Sequence, residues 1–164
     1  MSRIHSVIGS SYCKRRAEVK LPAIEFTRNV LGVPDADSAE NNSGSANIVI
    51  TLVACPIPAA GGLRLAGEGT ARPVPGTLFA QICGTEDLRG EYFCSFETNA
   101  AFIPRWLAAG LRVAANGSDG EMRAFEIPSH RFFLATLFQP QLSSEAGNPH
   151  PLIRAFAEAC AARR

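Results

Sequence analysis

Five cysteines and three histidines hold most of the side chains able to do chemistry: Cys13, Cys55, Cys83, Cys94 and Cys160, with His5, His130 and His150. A nucleophilic thiol needs a base within reach and an exposed turn to stand on. No cysteine has a histidine beside it in sequence. Cys94, flanked by Phe93 and Phe96, falls in a strand-like run, and Cys160 falls on an apolar helical stripe, so both read as packing residues. Cys55 precedes Pro56 and Cys83 precedes Gly84, which puts them at element ends. No pair has the C-x-x-C spacing of a structural zinc site, so no metal and no cofactor are expected. Gly67-Glu68-Gly69 is too short a glycine pair to cradle a phosphate. His130 and His150 are the candidate proton carriers; the plainer reading sets each at the surface start of a strand or helix.

The elements that must position these residues follow from periodicity. Residues 21–31 read as a helix, with Pro22 in its first turn and Gly32 beyond its end. Residues 33–47 are polar and read as a loop. Residues 47–54 (NIVITLVA) are β-branched and read as a strand. The Pro- and Gly-rich stretch 55–76 reads as loop with one short strand near Leu63-Arg64-Leu65. Residues 91–98 form a second strand, and Asn99 caps a short helix reaching Gly110. Residues 111–115 and 121–127, joined by Asn116-Gly117-Ser118-Asp119-Gly120, make a β-hairpin. Residues 132–138 (FFLATLF) lack alternation, as in a central strand covered on both faces. Residues 152–162 read as a helix with Leu152, Ile153, Phe156 and Cys160 on its buried stripe. This order predicts an α/β fold with a mixed sheet.

Composition bounds the partners. The chain has 164 residues, 46% hydrophobic and 19% charged, which is one domain or part of one with material for a real core. The net charge is +1 and the pI about 7.7, which offers neither nucleic acid nor an anionic membrane a concentrated basic face. The cluster Cys13-Lys14-Arg15-Arg16 is too brief to change that. No apolar run is long enough to span a membrane, and no signal-peptide core follows Met1, so a cytoplasmic setting with free thiols is expected.

One stretch says more than periodicity can. Phe132-Phe133-Leu134-Ala135-Thr136-Leu137-Phe138-Gln139-Pro140-Gln141, followed by Gly147-Asn148-Pro149-His150-Pro151-Leu152, resembles the end of the class I glutamine amidotransferase domain of CTP synthase. That family writes it F-F-V-A-T-Q-F-H-P-E and G-R-P-H-P-L. Upstream, Ile24-Glu25-Phe26-Thr27-Arg28-Asn29-Val30-Leu31-Gly32 resembles the family's I-E-F-A-R-N-V-L-G. Leu63-Arg64-Leu65, Pro75-Gly76-Thr77, Ala108-Ala109-Gly110-Leu111 and Glu126-Ile127-Pro128-Ser129-His130 fall in family order. The resemblance is nearest to stand-alone proteins related to the C-terminal region of CTP synthase. It implies part of a flavodoxin-like, three-layer α/β domain with a mixed sheet. Residues 21–164 would be the C-terminal part of that domain, lacking its N-terminal strands, and residues 1–20 an unmatched, irregular segment, as in a truncated domain.

The family's chemistry uses a cysteine on a strand-to-helix elbow, a histidine that activates it and a glutamate that orients the histidine. The resemblance puts Arg16 at the nucleophile, Gln139 at the histidine and Gln141 at the glutamate. The family's glutamine-holding R-H-R-H-R-Y-E is Glu91-Tyr92-Phe93-Cys94-Ser95-Phe96-Glu97 here. The expectation is therefore a degenerate site with no catalytic residues, in which Gln139, Gln141 and His150 bind a small molecule. An adaptor role is also expected, with a protein partner or a second copy at an exposed sheet edge. The alternative that family membership implies is a glutamine-hydrolysing amidotransferase of pyrimidine nucleotide (CTP) biosynthesis.

Overall fold

The computed structural model describes residues 19–52, 58–59, 62–63, 65–94 and 96–162. The first element, α1, is Lys20–Asn29. It buries Ala23, Ile24, Phe26 and Thr27, residues that lie one helical turn apart or less, and so recur on one face. Pro22 is tolerated because it lies in the first turn, before its amide would be needed. The chain leaves α1 through Gly32, whose φ of +69° is open to glycine and costly for other residues. Arg28 donates from Nε to the Ala36 carbonyl at 2.8 Å and pins the loop beyond.

A small sheet covers this helix. It has the order β1 (Asp37–Ser38), β2 (Ile48–Leu52), β7 (Phe96–Thr98), with β1 parallel and β7 antiparallel to β2. Val49 and Ile50 are its fully buried core. The expected polar loop at 33–47 thus holds one two-residue strand. The nucleophile position expected at Arg16, and with it most of the expected segment 1–20, lies outside the described residues, as do Val53 and Ala54 of the strand expected at 47–54.

The larger, antiparallel sheet orders as β10-β9-β8-β5-β6. Its strands are β5 (Leu65–Pro73), β6 (Leu88–Cys94), β8 (Arg112–Asn116), β9 (Met122–Glu126) and β10 (Leu134–Thr136). Residues 65–71 of β5 pair with β6, and Arg72 and Pro73 then pair with β8, so one strand serves two neighbours. This corrects the loop expected over 55–76. Composition misled there: Gly67 and Gly69 sit inside a nine-residue strand, and β3 (Pro58–Ala59) and β4 (Gly62–Leu63) form a separate two-stranded ladder. An ideal Cβ on Gly69 would stand 2.7 Å from the Tyr92 ring, so this glycine admits an aromatic neighbour rather than a turn.

Two further strands differ from expectation. The run expected at 91–98 divides between β6 and β7, which join different sheets. The run expected at 132–138 keeps only three ladder residues, paired with β9 alone, so β10 is not a central strand over that length. Phe132, Phe133 and Leu134 are half-buried, and full burial begins at Ala135. Immediately beyond, the chain bonds to β9 and to β6: Leu137 donates to the Arg123 carbonyl and Gln139 to the Glu91 carbonyl, each at 2.8 Å.

Helices close the remaining faces. α2 (Leu78–Cys83) is capped by Thr77, whose hydroxyl oxygen accepts from the Ala80 amide, and by the buried Glu126 carboxylate, which accepts from the Leu78 amide at 2.7 Å. Asn99 caps the turn 100–102 that leads into α3 (Ile103–Ala108), as its position suggested. α4 is Pro151–Ala161. Its expected buried stripe is a correction: only Leu152 is buried, while Ile153, Phe156 (54% exposed) and Cys160 face outward. Among the described residues no helix is long and apolar enough to cross a membrane.

Candidate functional site

Phe138 is the centre from which the site is built. Its ring meets Phe79, Tyr92 and His150 with centroids 6.1, 6.2 and 6.0 Å apart. It lies so close over Gly90 that a Cβ there would stand 2.7 Å from the ring. This fixes the chain where it leaves the sheet. Gln139 follows, 6% exposed, with its backbone N–H donating to the Glu91 carbonyl and its backbone carbonyl accepting from the Leu142 N–H. Pro140 sets the local φ. The Pro140 carbonyl accepts from the Ser144 hydroxyl at 2.9 Å, and that hydroxyl oxygen accepts from the His150 amide at 2.9 Å. The loop between the strand and α4 is thereby tied across its base.

His150 is the N-cap of α4. Its Nδ1 accepts from the Leu152 amide at 3.2 Å, so the neutral ring carries its proton on Nε2. His150 is 6% exposed, and burial lowers its pKa from the usual histidine value. Nε2 is buried without a partner, and so is Nε2 of Gln139. These two nitrogens are hydrogen-bond donors in a neutral setting.

Of the three site residues expected, the structure buries Gln139 and His150 at opposite ends of one loop and leaves Gln141 exposed. No hydrogen bond joins the Gln139 amide nitrogen to the His150 ring. His130 is half-buried against Phe133, with ring centroids 5.7 Å apart. Burial pushes the Cys83 thiol up to about 11, so it stays protonated and unreactive at neutral pH. Cys160 is exposed rather than packed, which overturns its reading as a core residue. Cys13 and Cys55 lie outside the described residues, as does the side chain of Cys94. Among the described residues no three His, Cys, Asp or Glu side chains are grouped to hold a metal ion.

Sequence reasoning missed Arg123. It lies in β9, all five residues of which are buried, and its Nε and Nη1 have no partner. The available signal was an arginine inside a strand otherwise able to bury every position, MRAFE.

Comparison with known proteins identifies the arrangement. No protein-family profile matches the chain. The CTP synthase of Acaryochloris marina is 36% identical over 143 residues, which is 85% of this chain and 26% of that protein. The CTP synthase of Aeropyrum pernix is 33% identical over 150 residues, 89% of this chain and 28% of that protein. The chain therefore spans about a quarter of the length of these curated relatives. Among solved structures, the glutaminase domain of CTPS from Trypanosoma brucei with bound acivicin superposes with a TM-score of 0.79 at 29% identity, over 87% of this chain and 56% of that one. The fold is that of a class I glutamine amidotransferase domain, flavodoxin-like and mixed α/β. Within that class, the chain is related to the glutaminase domain of CTP synthase.

Proposed function

We propose that this chain is a CTP synthase-related glutamine amidotransferase domain that binds a small ligand at the end of β10 and does not hydrolyse glutamine. The observation that carries the reading is Gln139, buried and with its side-chain nitrogen Nε2 unpartnered, at the position that aligns with the family's histidine. A primary amide can donate and accept hydrogen bonds but cannot take the proton of a nucleophile or deliver one to ammonia. The exposed Gln141, aligned with the orienting glutamate, offers no charge to hold an imidazolium. Arg16, aligned with the nucleophile, has no attacking atom at neutral pH.

Ammonia release from glutamine by the purified chain tests this directly. The expected rate is indistinguishable from buffer, and a glutamine-mimicking chloroketone labels no cysteine. Release within tenfold of an ordinary amidotransferase, or labelling of one cysteine, would overturn the reading in favour of a glutaminase serving CTP formation. Thermal-shift screening with amino acids and nucleotides tests the binding half. A ligand whose affinity is unchanged in Gln139→Ala would remove Gln139 from the site.

A further inference from the structure

Arg123 occupies a place that strand geometry had to be altered to provide. Ala115 pairs with Ala124 and Asn116 with Met122, so β9 advances two residues while β8 advances one. Arg123 is the extra residue of that β-bulge. Bulges re-aim a side chain that a regular ladder would send elsewhere. Here the guanidinium is carried over the Tyr92 ring, 4.9 Å from its centroid. The residue is only 8% exposed. One of its nitrogens, Nη2, donates to Glu121, whose other carboxylate oxygen accepts from the Asp119 amide at 3.0 Å. Nε and Nη1 are buried and have no partner.

An arginine placed in this way is costly unless its remaining donors are met. The Tyr92 ring balances charge but accepts no strong hydrogen bond. Burial pushes the Tyr92 hydroxyl up to about 12, so no phenolate forms beside the guanidinium at neutral pH. The open positions are donors only, and the common group that is an acceptor only is a carboxylate. The bulge also adjoins the strand end: the Arg123 carbonyl accepts from Leu137, two residues before Gln139.

We infer that Arg123 is an anion-binding residue that donates to the carboxylate of a small acid from an open donor, Nε or Nη1. This stands apart from the fate of glutamine hydrolysis, since it invokes no nucleophile and no proton carrier. Glu121 is the built-in competitor for the same charge, held to one nitrogen and partly solvated.

Titration of the full chain with sodium acetate and with sodium L-glutamate, against sodium chloride at constant ionic strength, tests this by calorimetry or by NMR shifts of the Arg123 side-chain NεH. Saturable binding of either carboxylate is expected, weakened at least tenfold in Arg123→Met and tightened severalfold in Glu121→Gln. No saturable binding in the parent beyond the chloride control would overturn the proposal. So would equal affinity in Arg123→Met. Should that variant fail to fold, Glu121→Gln decides, because unchanged or weaker binding there contradicts a competing carboxylate.

Discussion

Two buried polar sites are handled in opposite ways. At the junction of α1 and α3, Trp106 donates from Nε1 to the Thr27 hydroxyl at 2.8 Å, and that hydroxyl donates to the Ala23 carbonyl at 2.7 Å. Both residues are fully buried, and each of these polar atoms has a partner. Where β10 runs into the loop before α4, and at the neighbouring bulge of β9, Gln139, His150 and Arg123 are also buried, yet four of their nitrogens have none. A satisfied buried network adds specificity and rigidity; an unsatisfied one lowers stability. The first site is therefore framework. The second holds donors that a bound group would complete.

The largest expected effect comes from treating the two regions as one core. Ala135 is buried in β10 directly opposite the buried Phe125. Ala135→Asp would place an unpaired carboxylate there, with a desolvation cost of several kcal/mol, on the order of the whole stability of a domain. Loss of soluble expression is expected. A soluble Ala135→Asp protein that melts with the parent would show that residues 134–139 are not part of the core.

Thr27→Val sharpens the contrast from the framework side. It removes the Trp106 acceptor while keeping shape, and the orphaned indole N–H should cost about 1–3 kcal/mol in chemical denaturation. Trp106→Phe in the same background should recover part of that loss, because no donor is then left without an acceptor. Strict additivity of the two changes would mean that the hydrogen bond contributes nothing to stability.

The contrast also explains what was legible beforehand. The helix at α1, the β-branched strand β2, the Asn99 cap and the 112–126 hairpin were readable because each is encoded by a local period or a local turn. β5 was not, since its glycines look like loop until the Tyr92 ring that needs them is in place. The α4 stripe failed for the converse reason: Ile153, Phe156 and Cys160 recur at helical spacing, but spacing cannot say which side of a helix has a neighbour. Within the candidate site, His150 stood out as a titratable side chain, whereas Gln139 was found only through the family resemblance. Arg123 escaped because a bulge is a property of two strands in register, and neither strand shows it alone.

A smaller effect should follow pH. Burial lowers the His150 pKa in the folded chain relative to about 6.5 in the unfolded one. The unfolded state then binds the proton more readily, so stability is fully present above about pH 6.5 and declines as pH falls from there toward the folded pKa. His150→Asn keeps a side chain able to cap α4 and removes the titration. The stability difference between pH 7.5 and 5.5 should shrink in that variant. An undiminished difference would assign the pH response to other groups.

The smallest change in stability is expected at the residue most central to the proposed ligand site. Gln139→Met keeps the length of the side chain and deletes the buried amide nitrogen that has no partner. The parent bears the desolvation of that donor without a compensating bond, so its removal should leave stability unchanged or raise it by up to about 1 kcal/mol. The backbone bonds from Gln139 to Glu91 and from Leu142 to Gln139 do not depend on the side chain and should persist. The same substitution should abolish binding of any ligand that uses the amide. The comparison with Thr27→Val is then internal, since both changes replace a buried polar side chain by an apolar one of similar size. Equal losses from denaturation curves measured side by side would mean that Gln139 is framework after all, and that its burial reflects packing rather than a site.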